Sequence, residues 1–221
     1  MTFFVSISTI SHYKVACDRL ISTLPEAWKS KYILIYQNEN RNDFQVFDDG
    51  HIEVYITNNC SDYGNWIGLH MLISNNIVPP ESSFLCIHDT CCFVGDDCVA
   101  LTQAIIQEHP HEDSIWLCNN GQCNICILRR ASIEVGYERY KNVATMTKVQ
   151  TIQYEWGHGD WLSPKSFPVR HLFLQSPSIT TGSRDVYNTQ NERSVLFFPS
   201  IGMEKYFVQV DYGSSTHPMS P

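Results

Sequence analysis

The run Phe84-Leu85-Cys86-Ile87-His88-Asp89-Thr90 is an apolar stretch that stops on an acid. An apolar run this short reads as a strand buried on both faces of a parallel sheet. In open α/β sheets, ligands bind in the crevice outside the carboxyl ends of the strands. An aspartate placed there, beside a histidine, can hold a divalent cation, which can in turn hold the phosphates of a nucleotide. The same residues read equally well as a helix cap or a turn at a strand end. The nearby Asp96-Asp97 pair competes for the metal but sits where a helix N-cap is expected.

Three other stretches combine chemistry-bearing types. In Asp62-Tyr63-Gly64-Asn65-Trp66, Tyr63 can stack on a base and Asp62 can bond its polar edge or a ribose hydroxyl. The plainer reading is a capped helix with an aromatic beneath it. In Asn119-Asn120-Gly121-Gln122-Cys123-Asn124, the Asn-Gly pair is a turn signal, and Asn124 beyond it can donate and accept toward sugar hydroxyls. In Glu155-Trp156-Gly157-His158-Gly159-Asp160-Trp161, acids, glycines and tryptophans coincide. Trp faces suit sugar rings, glycines allow close backbone approach, and an acid suits a general base. The competing reading is an irregular loop whose tryptophans plug the core. Arg184, Arg193 and Lys205 add sparse positive charge near the C-terminus, able to neutralise a leaving diphosphate.

Composition bounds these readings. The 221 residues suffice for one domain with a sizeable core, and 43% hydrophobic with 17% charged residues fits a globular chain. A net charge of −8 without a Lys/Arg-rich run argues against nucleic acid or an anionic membrane as main partner. The opening Met1-Thr2-Phe3-Phe4-Val5-Ser6 lacks the pattern of a signal peptide, and no window reads as a membrane span. The expectation is a soluble cytoplasmic protein. The nine cysteines are odd in number, and several sit in apolar strand sequence, which favours buried free thiols. Cys118, Cys123 and Cys126 have iron–sulfur spacing, but no fourth cysteine follows them.

The elements that must position these groups alternate. Strands are expected at Phe3–Ser8, Tyr32–Tyr36, Ile52–Ile56, Phe84–His88, Ser114–Cys118, Ile125–Leu128 and Ser194–Phe198. Helices are expected over Tyr13–Leu24, Trp66–Ile73 with Asp62 or Ser61 as N-cap, Val99–Ile106, and Arg130–Val135. Ser6-Ile7-Ser8-Thr9 reads as a Ser-rich turn, Gln37–Asp49 as a polar loop, and Tyr154–Phe167 as irregular. The alternation predicts a parallel sheet with right-handed crossovers.

Taken together, these pieces resemble a glycosyltransferase of the GT-A fold. The opening from Phe4 to Leu24 resembles that family's nucleotide-binding start. His88-Asp89-Thr90 falls where the family has its Asp-x-Asp metal motif, with one acid in place of two. Gly121 to Arg130 resembles its acceptor-side strand and basic turn. Asp185 through Tyr206 resembles small transferases of this kind, some in large DNA viruses of algae. The resemblance implies a single Rossmann-like α/β domain over 1–212, with a central mostly parallel sheet flanked by helices, and a loose tail over 213–221. It implies transfer of a sugar from a UDP- or GDP-linked donor to a hydroxyl on a glycan or protein-glycan acceptor. Ser8, Thr9, Gln37, Asp62 and Tyr63 would line the nucleotide pocket. Asp89, with His88, would hold Mn²⁺ or Mg²⁺. Asn124 and Trp156 would face sugar. Asp160, then Glu155, would serve as general base in an inverting reaction, whereas a retaining one needs none. Two alternatives come from other classes. One is a non-catalytic nucleotide- or carbohydrate-binding module. The other is a metal-dependent phosphoesterase using His88, Asp89, His158 and Asp160.

Overall fold

Eight consecutive residues, Phe3–Ile10, form β1, and their alternation explains the rest of the molecule. In this computed structural model, the described residues are 2–95, 97–118, 125–156, 160–174, 178–180 and 195–206. Along β1, Val5 and Ile7 enter one apolar core, while Ser6 and Ser8 face the other side and are buried as well. The serines do not make the expected turn because tertiary partners satisfy their hydroxyls. Ser6 Oγ donates to Asn65 Oδ1 at 2.7 Å, and Ser8 Oγ donates to the Ser61 carbonyl at 3.0 Å. With those bonds made, burying hydroxyls in a strand carries little cost.

The chain continues through α1 (Lys14–Ser22), β2 (Tyr32–Gln37), β3 (Asp43–Val46), β4 (Ile52–Tyr55) and α2 (Gly64–Ser74). Then come β5 (Ser83–His88), β6 (Cys91–Phe93), α3 (Cys98–Glu108), β7 (Ser114–Trp116), β8 (Cys126–Leu128) and α4 (Arg130–Tyr140). Last are α5 (Lys148–Trp156), β9 (His171–Phe173), β10 (Ser178–Thr180), β11 (Val195–Phe198) and β12 (Met203–Tyr206). The main sheet has the order β3-β4-β2-β1-β5-β8-β7-β9. Strands β4, β2, β1 and β5 are mutually parallel, and β3 and β8 run against them. A smaller antiparallel sheet, β10-β11-β12-β6, takes its β6 strand from the chain just after Asp89.

One core lies between the sheet, α1, α3 and the smaller sheet; it holds Val5, Leu20, Leu85, Ile105 and Met203. The other lies beneath α2 and α4 and holds Ile35, Trp66, Leu69, Phe84 and Ile133. Helix α2 is buried on nearly every side, since α4 covers the face turned from the sheet. That contact depends on Gly136, where a Cβ would stand 1.9 Å from Trp66 Cδ1. The molecule is therefore mixed α/β, with a large and mostly parallel central sheet flanked by helices. Among the described residues no helix is long and apolar enough to cross a membrane.

Three expectations need correction. The polar 37–49 stretch contains β3, an exposed edge strand whose only packed side chain is Phe44 and whose hairpin turns at Gly50 with φ +91°. Pairing with β4 stabilises it where composition does not. Glu155 and Trp156 are not in an irregular loop: their backbone closes α5. The helix over Lys148–Trp156 buries Thr151 and packs Tyr154 on the second core. Helix α2 begins without a side-chain cap, because Asp62 is bonded elsewhere. Asp96, Asn119 to Asn124 including Cys123, Gly157, His158, Gly159, Arg184, Asp185, Arg193 and the 213–221 tail lie outside the described residues. So do the side chains of Glu155 and Trp156.

Candidate functional site

The parallel strands reverse direction of travel at β1. The chain steps outward from β1 to β2 and β4, then returns to β5 on the other flank of β1. The crevice outside the carboxyl ends at such a switch point is where open α/β sheets bind ligands. Strands β1 and β5 are in register there, with Ser8 opposite His88. Successive strand residues face opposite sides. Val5, Ile7, Leu85 and Ile87 point to the α1 side, and Phe84 and Cys86 to the α2 side.

The polar ends follow this alternation and take different partners. Thr9 Oγ1 donates to Asp89 Oδ2 at 2.8 Å. His88 Nδ1 instead pairs with Asp62, which a 3-10 turn at Ser61–Tyr63 brings over the end of β5. The side chains of His88 and Asp62 are 12% and 15% exposed, so this ion-pair contact is largely sheltered. Asp89 is 7% exposed, and burial pushes its carboxyl up to about 7. The Thr9 hydrogen bond opposes that shift, and the Asp62 charge adds to it. A buried carboxyl held near neutrality is an acid whose ionised form gains most from a nearby cation.

Gln37 and Ser8 hold the turn that carries Asp62. Gln37 Nε2 donates to Ser8 Oγ at 2.7 Å and to the Ser61 carbonyl, while Cys60 N–H donates to Gln37 Oε1 at 2.8 Å. Ser61 is left-handed, with φ +54°, a conformation uncommon outside glycine. Gly64 gives Gln37 its room, since a Cβ there would lie 2.5 Å from Gln37 Cδ. The polar atoms of Ser8 and Gln37 thus serve the turn, and Gln37 is 2% exposed.

Tyr63 is a correction. Its ring is fully buried, packed 5.1 Å from Tyr140 and 6.0 Å from Trp66, and its hydroxyl donates to the Thr151 carbonyl at 3.2 Å. It joins the turn to α4 and α5 and has no face to offer a base. Asp160 is exposed, and its Oδ1 accepts from Leu162 N–H at 2.9 Å. Arg139 anchors the next residue, donating to the Trp161 carbonyl at 2.7 Å and lying 5.0 Å from the Trp161 ring centroid.

No protein-family model matches this chain, and no curated protein matches it.

The basic turn expected at Arg129-Arg130 divides by role. Arg129 is spent on the end of α3: its guanidinium donates to the carbonyls of Ile106 (3.2 Å), His109 (2.8 Å) and Glu112, and to Ser83 Oγ at 3.3 Å. Arg130 pairs with Glu134 at 2.6 Å on the surface. The eight described cysteines are buried and none is in a disulfide, with Cys86 directly opposite Cys126 across β5 and β8. Among the described residues no group of three His, Cys, Asp or Glu side chains converges to hold a metal ion. The Asp62–His88 pair and the Gln37 clamp carry no sequence signal, because their members lie far apart along the chain. Only the polar residues at strand ends hinted at them.

Proposed function

We propose that this protein is a nucleotide-sugar-dependent glycosyltransferase of the GT-A type, transferring a hexose to a hydroxyl acceptor. The observation that carries the reading is Asp89, a buried carboxyl at the carboxyl end of β5, bonded to Thr9 across the switch point. A hard carboxylate oxygen beside a hydroxyl suits Mg²⁺ or Mn²⁺. Such ions are commonly held by one or two carboxylates plus the substrate's own phosphates. Asp89 would hold the cation, with Thr9 fixing the carboxylate. His88 is committed to Asp62 and serves the turn. Bound there, the cation would offset negative charge on the departing diphosphate. Asp62 borders the crevice and can accept from a ribose or base. Asp160 remains the first choice for the base in an inverting reaction and Glu155 the second. Trp156 and Asn124 remain the sugar-facing choices.

A thermal-shift screen of UDP- and GDP-sugars, with and without Mn²⁺, tests this reading. A donor at about 100 times its dissociation constant should stabilise the fold by roughly 2.7 kcal/mol. No shift with any donor would sink it. A second reading, a non-catalytic nucleotide- or carbohydrate-binding module, draws support from the single carboxylate at the metal position. Binding without release of nucleoside diphosphate in the presence of glycan acceptors would favour the module.

A further inference from the structure

We propose that Trp161 is a stacking platform for one pyranose ring of the acceptor glycan. The inference rests on the transferase reading above and gives it a contact for the acceptor. Trp28, Trp66 and Trp116 are 2%, 1% and 0% exposed, whereas Trp161 is 58% exposed. An indole left in water forgoes the burial that stabilises the other three. Trp161 is nonetheless pinned. Its carbonyl accepts from Arg139 Nη1 at 2.7 Å. Before it, the Asp160 carbonyl accepts from Ser163 N–H at 2.9 Å and from Ser166 Oγ, while Asp160 Oδ1 accepts from Leu162 N–H. After it, the Leu162 carbonyl accepts from the hydroxyl of Tyr140, whose ring is fully buried. The backbone on both sides of the ring is thus tied to α4 and to its own turn. The Arg139 guanidinium also lies over the indole, 5.0 Å from its centroid. That covers one face, and the exposure belongs to the other.

A held ring with one open face is preorganised, so a ligand stacking on it pays little for ordering the protein. A pyranose suits it. Such a sugar carries C–H bonds on one face and hydroxyls around its edge, and the groups beside the ring are polar: the Arg139 guanidinium and the exposed Asp160 carboxylate. Both can bond hydroxyls. A protein partner would want more apolar surface around its anchor. Here the ring's chain neighbours are an exposed acid and a half-buried Leu162. The remaining well-exposed large apolar side chains among the described residues, Val15, Val46, Val94, Val149 and Phe173, belong to other segments. The place also fits an acceptor. Tyr140, which holds the Leu162 carbonyl, packs 5.1 Å from Tyr63, and Tyr63 follows Asp62 in the turn that borders the crevice. The platform is therefore joined to that turn through one buried ring.

The test is an NMR titration of the indole N–H signals, with the Trp161 signal assigned by its loss in Trp161→Phe. The probes are the methyl pyranosides of glucose, galactose, mannose, xylose, fucose, rhamnose and N-acetylglucosamine, each to about 50 mM, ample for a millimolar site. Saturation-transfer difference spectra give the affinities of Trp161→Phe and Trp161→Ala, and circular dichroism melts verify their folding. At least one pyranoside should move the Trp161 signal. Trp161→Ala should weaken that pyranoside by about tenfold or more, and Trp161→Phe should retain most of the affinity. UDP and GDP binding in Mn²⁺ should be the same in all three proteins. If no pyranoside moves the Trp161 signal, or folded Trp161→Ala binds the sugar like wild type, the proposal is overturned and the donor reading stands on its own thermal-shift result. A Trp161 signal that moves with protein concentration alone makes the ring a contact between copies and overturns the proposal as well. Sugar binding through Trp161 in a protein that binds neither nucleotide keeps the platform and removes the donor reading in favour of the module.

Discussion

Thr9 Oγ1 and Asp89 Oδ2 meet at 2.8 Å although 80 residues separate them in sequence. Their strands are hydrogen-bonded neighbours, so the contact closes the carboxyl edge of the sheet at its switch point. It also holds an acid in a place where its charge is costly.

Replacing that acid should stabilise the metal-free protein. The folded pKa of Asp89, about 7, lies above the ordinary 3.8. Between those values the folded chain keeps a proton that the unfolded chain has released. Rising pH therefore removes stability across that window. Asp89→Asn, compared with wild type in chelator, should melt higher at pH 8 by at least about 5 °C, and by much less at pH 4. It should also abolish Mn²⁺-dependent donor binding. Equal melting temperatures at pH 8 would mean that the carboxyl is not desolvated as described.

The Gln37 clamp predicts a second loss. Gln37→Ala removes a buried amide that satisfies Cys60 N–H, Ser8 Oγ and the Ser61 carbonyl. We expect a destabilisation of about 2–4 kcal/mol by urea unfolding, from unsatisfied polar groups and the space left behind. Ser61→Gly should go the other way by roughly 1 kcal/mol, since glycine adopts φ +54° without strain.

Transfer chemistry separates Asp160 from Glu155. A general base contributes about 10²–10⁴-fold in rate. Asp160→Asn should slow transfer by that order with nucleotide affinity nearly unchanged, and Glu155→Gln should be measured beside it. Near-normal rates in both variants would mean a retaining reaction or a base elsewhere.

Arg129 should prove structural. Its guanidinium serves three carbonyls at and beyond the C-terminal end of α3 and the Ser83 hydroxyl. Arg129→Met should cost about 2–4 kcal/mol and lower the melting temperature by roughly 5–15 °C. Nucleotide affinity of the folded fraction should stay as it was.

His171 sets an acid limit. Ser114 Oγ–H donates to Nδ1 at 2.6 Å, and Nε2–H donates to the Phe167 carbonyl at 3.0 Å, so the neutral ring is fully used. Burial holds its pKa below the ordinary 6.5. The unfolded chain takes up a proton first as pH falls, so stability declines from pH 6.5 downward until the folded ring also protonates. In the Asp89→Asn background, which removes the opposing slope, urea midpoints should fall on going from pH 7 to pH 5. His171→Asn should flatten that fall.

The alternation of the strands, the apolar runs and the acid closing Phe84 to His88 were legible in the residues themselves. They are local: a period of two and a chemical type at a strand end need no knowledge of neighbours. Strand β3 was not legible, because an exposed edge strand needs only a partner's backbone. The Ser6 to Thr9 stretch misled for a related reason. Buried hydroxyls fit a strand only once Asn65 and Gln37 are there to bond them. Tertiary structure alone decided that His88 turns to Asp62 and Asp89 to Thr9, and that Lys205 lies across from Cys91. Those relations join segments distant in the chain. Such pairs are fixed by sheet register and burial, which the whole fold sets at once.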